Sequence, residues 1–274
     1  IVVIRILDPE KAQFSLERLG ISNLIEWRKG ASRADGLCLI CGPTGSGKTT
    51  TLNSTLRELD RFGKSIYTIE DPVEYRIPYI GQVTINTAVG LDFARAVKAF
   101  MRADPDVIVI GEIRDLETAR NAIKAAETGH LVFATLHTAS IPGAVNRLRD
   151  LGVEPHELKY VLRSVMAQRL MRTICKNCAG DGCTVCFEKG YAGRTVVSEI
   201  KYFSTMKDVV NIISGKEKDV EINWKTIQDD AFQKVKDGLS SPGEFIRTFG
   251  AEAEELLEND GFDLKRINEK GIYK

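Results

Sequence analysis

The segment GPTGSGKT at 42–49 fits the pattern G-x-x-x-x-G-K-[ST]. In that pattern glycines let backbone N–H groups turn inward around phosphates, a lysine neutralises their charge, and a hydroxyl ligates a divalent cation. The candidate phosphate-binding residues are Gly42, Pro43, Thr44, Gly45, Ser46, Gly47, Lys48, Thr49 and Thr50. Lys48 is expected to face the β- and γ-phosphates, and the Thr49 hydroxyl is expected to ligate Mg²⁺. An apolar run, LCLIC at 37–41, precedes the loop, and a segment of helical period follows it, which is the context the motif requires. A nucleoside triphosphate is the expected ligand.

Hydrolysis asks for carboxylates as well, because phosphoryl transfer is served by positioning and charge rather than by covalent chemistry. DVIVIGEIRD at 106–115 is an apolar strand ending at Gly111, so Glu112 should project from the carboxyl edge of a sheet. A second run, SIYTI, leads into EDPVEY at 70–75 and delivers Glu70, Asp71 and Glu74 toward the same edge. Acids so close repel one another unless a cation intervenes, and Lys48 with Mg²⁺ would supply it. Taken singly, Glu70 and Asp71 are equally readable as solvated loop acids.

Two of the three histidines bracket an apolar run in TGHLVFATLHT at 128–138. At about 3.3 Å per residue, an extended chain puts His130 and His137 roughly 23 Å apart. No single ion or phosphate touches both, so at most one of them sits at the chemistry.

CKNCAGDGCTVC at 175–186 contains two C-x-x-C pairs separated by four residues. Each pair can present two thiolates at about 2.3 Å from a metal, and Gly180 and Gly182 offer the tight turn that joins them. Cys175, Cys178, Cys183 and Cys186 are therefore expected to hold a structural Zn²⁺, since four thiolates leave no position open for water. Disulfides are the alternative, disfavoured in a cytosolic nucleotide enzyme. Cys38 and Cys41 lie in an apolar strand and read as core residues.

The elements that must position these groups alternate along the chain. Strands are expected at 37–41, 65–70, 82–85, 107–110 and 131–136, with helices near 48–60, 92–103, 115–127, 142–150 and 156–170. The implied class is α/β, a mostly parallel sheet covered on both faces, with ligands beyond the carboxyl ends of its strands. After about residue 200 the pattern changes to charged helical segments, and DGLSSPGEF reads as a helix end and a capped restart at Ser241.

The 274 residues carry 38 Lys plus Arg against 38 Asp plus Glu, so no charge excess recommends nucleic acid as a partner. No aromatic-plus-basic stretch recommends it either. The longest apolar runs fall far short of the about 20 residues a membrane helix needs, and no signal peptide is apparent, so a cytoplasmic protein is expected. The chain starts with IVVIRIL, in the middle of what reads as a strand, so it is expected to begin partway through a longer polypeptide.

Four blocks in order, GPTGSGKTTT, TIEDPVEY, DPDVIVIGEIRD and AAETGHLVFATLHT, resemble the motor ATPases of type II secretion and type IV pili. The resemblance covers about residues 5–200 well and the rest weakly. It identifies the blocks as Walker A, Asp box, Walker B and His box on a RecA-like core that works as a homo-hexameric ring. It also implies ATP, Mg²⁺ and structural Zn²⁺ as cofactors. Glu74 becomes the carboxylate that activates the attacking water, Glu112 the Walker B acid acting on Mg²⁺, and His137 the γ-phosphate sensor. His130, on the far side of the strand, becomes a structural or subunit-contact residue.

The implied organisation is a last strand of a PAS-like domain with a linker at 1–15, a RecA-like ATPase core at 16–200 that includes the zinc element at 175–186, a C-terminal helical subdomain at 201–250 and a tail at 251–274. Arg5 is a weak candidate for a nucleotide or interface contact, and an ordinary surface arginine is the alternative. The partner implied is an inner-membrane platform protein, with the motor on its cytoplasmic face. In the assembly-type members the link between the two cysteine pairs is usually far longer, and this chain departs from that pattern. Retraction-type relatives generally lack the cluster, so its presence points to an extension motor. The alternatives are a retraction motor, a conjugation-type secretion ATPase and a non-hydrolysing nucleotide-binding scaffold; Glu74→Gln separates the last, which should be indifferent to it.

Overall fold

The computed structural model describes residues 14–214 and 220–264. The strand expected in IVVIRIL, Arg5 and the end of the tail lie outside the described residues.

The chain proceeds through α1 (Leu24–Ala31), β1 (Gly36–Cys41), α2 (Lys48–Glu58), β2 (Ile66–Glu70), β3 (Gly81–Thr84), α3 (Phe93–Phe100) and β4 (Val107–Ile110). It continues with α4 (Leu116–Glu127), β5 (Leu131–Leu136), α5 (Ile141–Asp150), α6 (Pro155–Leu158), β6 (Leu162–Ile174) and β7 (Tyr191–Tyr202). Four helices close the described chain: α7 (Met206–Ser214), α8 (Ile227–Lys236), α9 (Pro242–Phe249) and α10 (Ala251–Asn259).

Seven strands form one sheet in the order β3-β2-β4-β5-β1-β6-β7. Each neighbouring pair is parallel except β6 with β7. The expected α/β class with a mostly parallel sheet is therefore what the chain adopts. Alternation along the central strands splits the core: Leu37, Leu39 and Cys41 of β1 join one cluster, and Cys38 and Ile40 join the other. Both faces are thus buried, which is the condition for a parallel sheet. Local chemistry starts the helices that cover them. Asp92, Asp115 and Ser140 each accept a hydrogen bond from a first-turn backbone N–H, of Arg95, Thr118 and Gly143 respectively.

One expectation fails. The helix predicted over 156–170 is a single short turn, α6, followed by β6, thirteen residues of strand. Val161, Leu162, Val165 and Met166 mimic helical spacing, but Ser164, Val165, Met166, Ala167 and Gln168 are all buried between the two helix layers. A strand buried on both faces shows no period of two, so periodicity alone misassigns it.

Beyond β7 the helices serve two clusters. Val209, Ile212 and Ile213 of α7 pack into the larger core under the sheet. Residues of α8, α9 and α10, among them Phe245 and Leu257, enclose a separate cluster with Met171 of β6 and Val197 of β7. As expected, Ser241 caps α9, accepting from the Glu244 N–H at 3.1 Å. The Glu244 carboxylate turns elsewhere, to Arg172 of β6 and Arg247.

Candidate functional site

The carboxyl ends of β1, β2, β4 and β5 open on a cavity of about 450 Å³. Its lining includes the loop from Thr44 to Thr50, Glu74, Glu112 and His137. The structure thus brings together residues from all four sequence blocks. Parallel pairing achieves this: β5 lies beside β1, with Cys41 opposite Leu136, so the residues that follow, Gly42 and His137, emerge side by side.

The loop is shaped for an anion. Helix α2 begins after Gly47, which has no side chain with which to cap it, so its first N–H groups remain for a bound anion. Gly42 has φ +155°, and a Cβ there would come within 2.4 Å of the Gln168 carbonyl oxygen, so only glycine fits. Lys48 folds over the loop and donates to the carbonyls of Gly42 (2.8 Å) and Pro43 (3.2 Å). Burial lowers the pKa of its ammonium, an effect that Glu112 partly opposes. A buried cation held only by carbonyl dipoles is the natural complement of a phosphate.

The acids divide. Glu112 accepts from Nε of Arg114 at 2.8 Å and lies 3.2 Å from Nε2 of His137. Arg114 also reaches Asp71 at 3.5 Å and sits 6.0 Å from the centre of the Phe93 ring. The acid repulsion foreseen at this edge is therefore relieved by an arginine of the chain itself, and the carboxylates in turn raise the Arg114 pKa. Glu70 also lines the cavity, but it is largely buried and accepts from Thr68 Oγ1 (2.6 Å) and Gln82 Nε2 (3.1 Å). Glu74 stays on the cavity wall.

The two histidines separate as their spacing requires. His130 precedes β5 at the opposite edge of the sheet, where its Nδ1–H donates to the Ala125 carbonyl at 2.8 Å. His137 lines the cavity.

Several lining residues were not read from the sequence. Thr135, Leu170 and Arg194 reach the cavity from β5, β6 and β7. No local motif marks Leu170 or Arg194, since β6 was expected to be helical. Arg114 was readable in principle, as it stands two residues beyond Glu112 in GEIRD.

At the turn between β6 and β7, the four Sγ atoms of Cys175, Cys178, Cys183 and Cys186 lie within 4.8 Å of one another. The closest separations are 3.9 Å for Cys175–Cys183 and 3.7 Å for both Cys178–Cys186 and Cys183–Cys186. A tetrahedron with metal–sulfur bonds of about 2.3 Å has edges of about 3.8 Å, so the cysteines are spaced for zinc. The spacing is too wide for disulfides, and all six cysteines are free. Backbone N–H groups of Gly182 and Cys183 donate to Cys178 and Cys186 at 3.2 Å, as thiolates require. The Asn177 amide, 3.3 Å from Cys183, holds that thiol down at about 6. Positive φ at Gly180 (+103°) and Gly182 (+95°) lets a four-residue link suffice. Cys38 and Cys41 are buried in β1, and burial pushes both thiols up to about 12, as inert core residues.

The model of the family described as type II/IV secretion system protein matches residues 1–257. The chain belongs to this family. The type II secretion system ATPase E of Vibrio cholerae is 39% identical over 277 residues, covering 90% of this chain and 55% of that protein. The type IV pilus assembly ATPase PilB of Myxococcus xanthus is 38% identical over 280 residues, covering 89% and 50% respectively. This chain thus spans about half the length of the curated relatives it matches. Among solved structures, the pilus retraction motor PilT with bound ADP superposes with a TM-score of 0.70 at 30% identity, over 88% of this chain and 68% of that one. The ATPase DotB of Legionella pneumophila shares the fold, with a TM-score of 0.68 at 24% identity over 85% of this chain and 64% of that one. The P-loop core with its tetracysteine element is accordingly the fold of this chain.

Proposed function

We propose that this chain is the ATP-hydrolysing part of a hexameric motor. Such a motor would drive assembly of a type IV pilus or a type II secretion pseudopilus through a membrane platform protein. The observation that carries the reading is the single cavity into which Lys48, Glu74, Glu112 and His137 converge beside an uncapped helix N-terminus.

Within that cavity the loop N–H groups between Thr44 and Thr50 and the Lys48 ammonium bind the triphosphate, and His137, held by Glu112, contacts the γ-phosphate end. Glu74, also on the lining, orients and deprotonates the attacking water. Thr49 and Glu112, both on the lining, are the residues that would hold Mg²⁺. When bound, the cation supplies charge neutralisation to the phosphates. Leu170 and Arg194 line the same cavity and add an apolar and a cationic contact for the nucleotide. The four cysteines would hold Zn²⁺ in a structural role, pinning the far end of the β6–β7 ribbon.

The assembly task rests on the family and on the tetracysteine element, which favours an extension motor over the retraction motor that PilT exemplifies. A place at the cytoplasmic face of the inner membrane follows from that task. No helix among the described residues is long and apolar enough to cross a membrane.

The test is steady-state ATP hydrolysis per chain over a wide range of protein concentration. Per-chain activity that climbs with concentration supports sites completed between subunits of a ring. Activity that is low and flat on both this chain and a longer form containing the upstream residues would overturn the motor reading.

A further inference from the structure

β6 pairs with β1 as far as Ala167, opposite Cys41, and then continues with β7 as its one neighbouring strand where β1 turns into the phosphate loop. Gln168 is the first residue of that overrun. Its side chain is fully buried, and Nε2 donates to the Ser46 carbonyl at 2.8 Å, across 122 residues of sequence. Its own carbonyl oxygen fills the space beside Gly42 where a side chain would otherwise stand. Gln168 thus touches the loop at both its beginning and its middle.

The amide is only half used: Oε1 is buried with no hydrogen-bond partner, and the Ser46 hydroxyl in the same loop is buried and unpartnered as well. An orphaned acceptor inside a protein is costly, and a glutamine held this way is a poor choice for stability alone. Leucine or methionine would fill the volume without it. What only the amide provides is a donor that fixes the Ser46 carbonyl, and with it the peptide plane that aims the next N–H groups into the cavity.

From this geometry we infer that Gln168 is a positioning residue for triphosphate binding. It preorganises the phosphate loop by holding Ser46, and does so at no net gain in the stability of the nucleotide-free protein. The inference rests on the nucleotide-binding reading of the cavity and adds to it a residue from a distant strand.

Two properties separate this role from ordinary packing. Gln168→Met keeps the volume, strands the Ser46 carbonyl and removes the orphaned Oε1, so the two stability terms offset. The nucleotide-free melting temperature should therefore stay within about 2 °C of the parent. Affinity for ATP and ADP should fall about tenfold, the equivalent of one lost hydrogen bond. Gln168→Asn, which draws the amide back by one methylene, should give the same loss and serves if the methionine variant does not fold.

The measurement is equilibrium binding of fluorescent ATP and ADP analogues, alongside nucleotide-free melting, on parent and variants. Weaker binding with unchanged melting supports the inference. Unchanged affinity, or affinity and melting temperature falling together, overturns it while leaving the cavity assignment intact. A parent chain that binds neither nucleotide overturns the cavity assignment itself, and this inference with it.

Discussion

Glu244 joins the C-terminal helices to the strand that walls the candidate cavity, and its removal has a calculable cost. The carboxylate is fully buried. It accepts from the backbone N–H and Nε of Arg172, both at 2.8 Å, and from Nε and an Nη of Arg247, both at 2.6 Å. Deleting one partner of a buried ion pair costs about 3–5 kcal/mol, because the remaining charge is left uncompensated. Both guanidiniums reach solvent, at 30% and 48% exposure, so water takes up part of that loss and Glu244→Ala should cost about 3 kcal/mol. For a chain of this size that corresponds to a drop of about 6–12 °C in melting temperature.

Acid offers a second check. Burial pushes the Glu244 carboxyl up, but the hydrogen bonds from Arg247 and Arg172 outweigh it and hold the carboxyl below its usual value. A carboxylate depressed in the folded state contributes stability above the unfolded value of about 4.3 and loses it as pH falls through the folded one. The difference in stability between parent and Glu244→Ala should therefore be full at neutral pH and shrink below about pH 4. The assay is thermal unfolding by circular dichroism at several pH values. An alanine variant that melts within about 2 °C of the parent at neutral pH would refute the anchoring argument.

Elemental analysis of purified protein should find one zinc per chain, with the metal lost in Cys183→Ser; full metal content in that variant would refute the four-thiolate site. Glu74→Gln should retain ATP binding while turnover falls about 10²-fold or more, and unchanged turnover would remove Glu74 from the role of base. His137→Ala should lower turnover by a comparable factor, whereas His130→Ala should leave it within about twofold, since that ring hydrogen-bonds the Ala125 carbonyl and Thr128 and is not part of the cavity lining. Equal effects of the two histidine substitutions would contradict their placement at opposite ends of β5.

Motifs whose chemistry is carried by neighbours in the chain were legible without a structure. The phosphate loop, the GEIRD acid and the paired C-x-x-C segments encode their own local backbone. Glycine positions and fixed spacing determine where an N–H, a carboxylate or a thiolate points. The separation of His130 from His137 is legible for the same reason, because a strand has a fixed rise. Strands β1, β2, β4 and β5 were readable as short apolar runs between turns.

Tertiary structure decided the rest. β6 reads as a helix in the sequence because a strand buried on both faces has no alternation to show, and only its pairing with β1 settles its state. That pairing carries Gln168 and Leu170 to the loop, and β7 then brings Arg194 to the same cavity. Glu70 is equally readable in the sequence as a solvated loop acid, and only the fold buries it and sets Gln82 and Thr68 against it. Arg172 and Glu244, 72 residues apart, meet only because α9 packs on β6. Sequence spacing fixes the direction of groups a few bonds apart. Which distant groups share a cavity depends on how sheet and helices close the core, and the amino-acid order alone determined only the first.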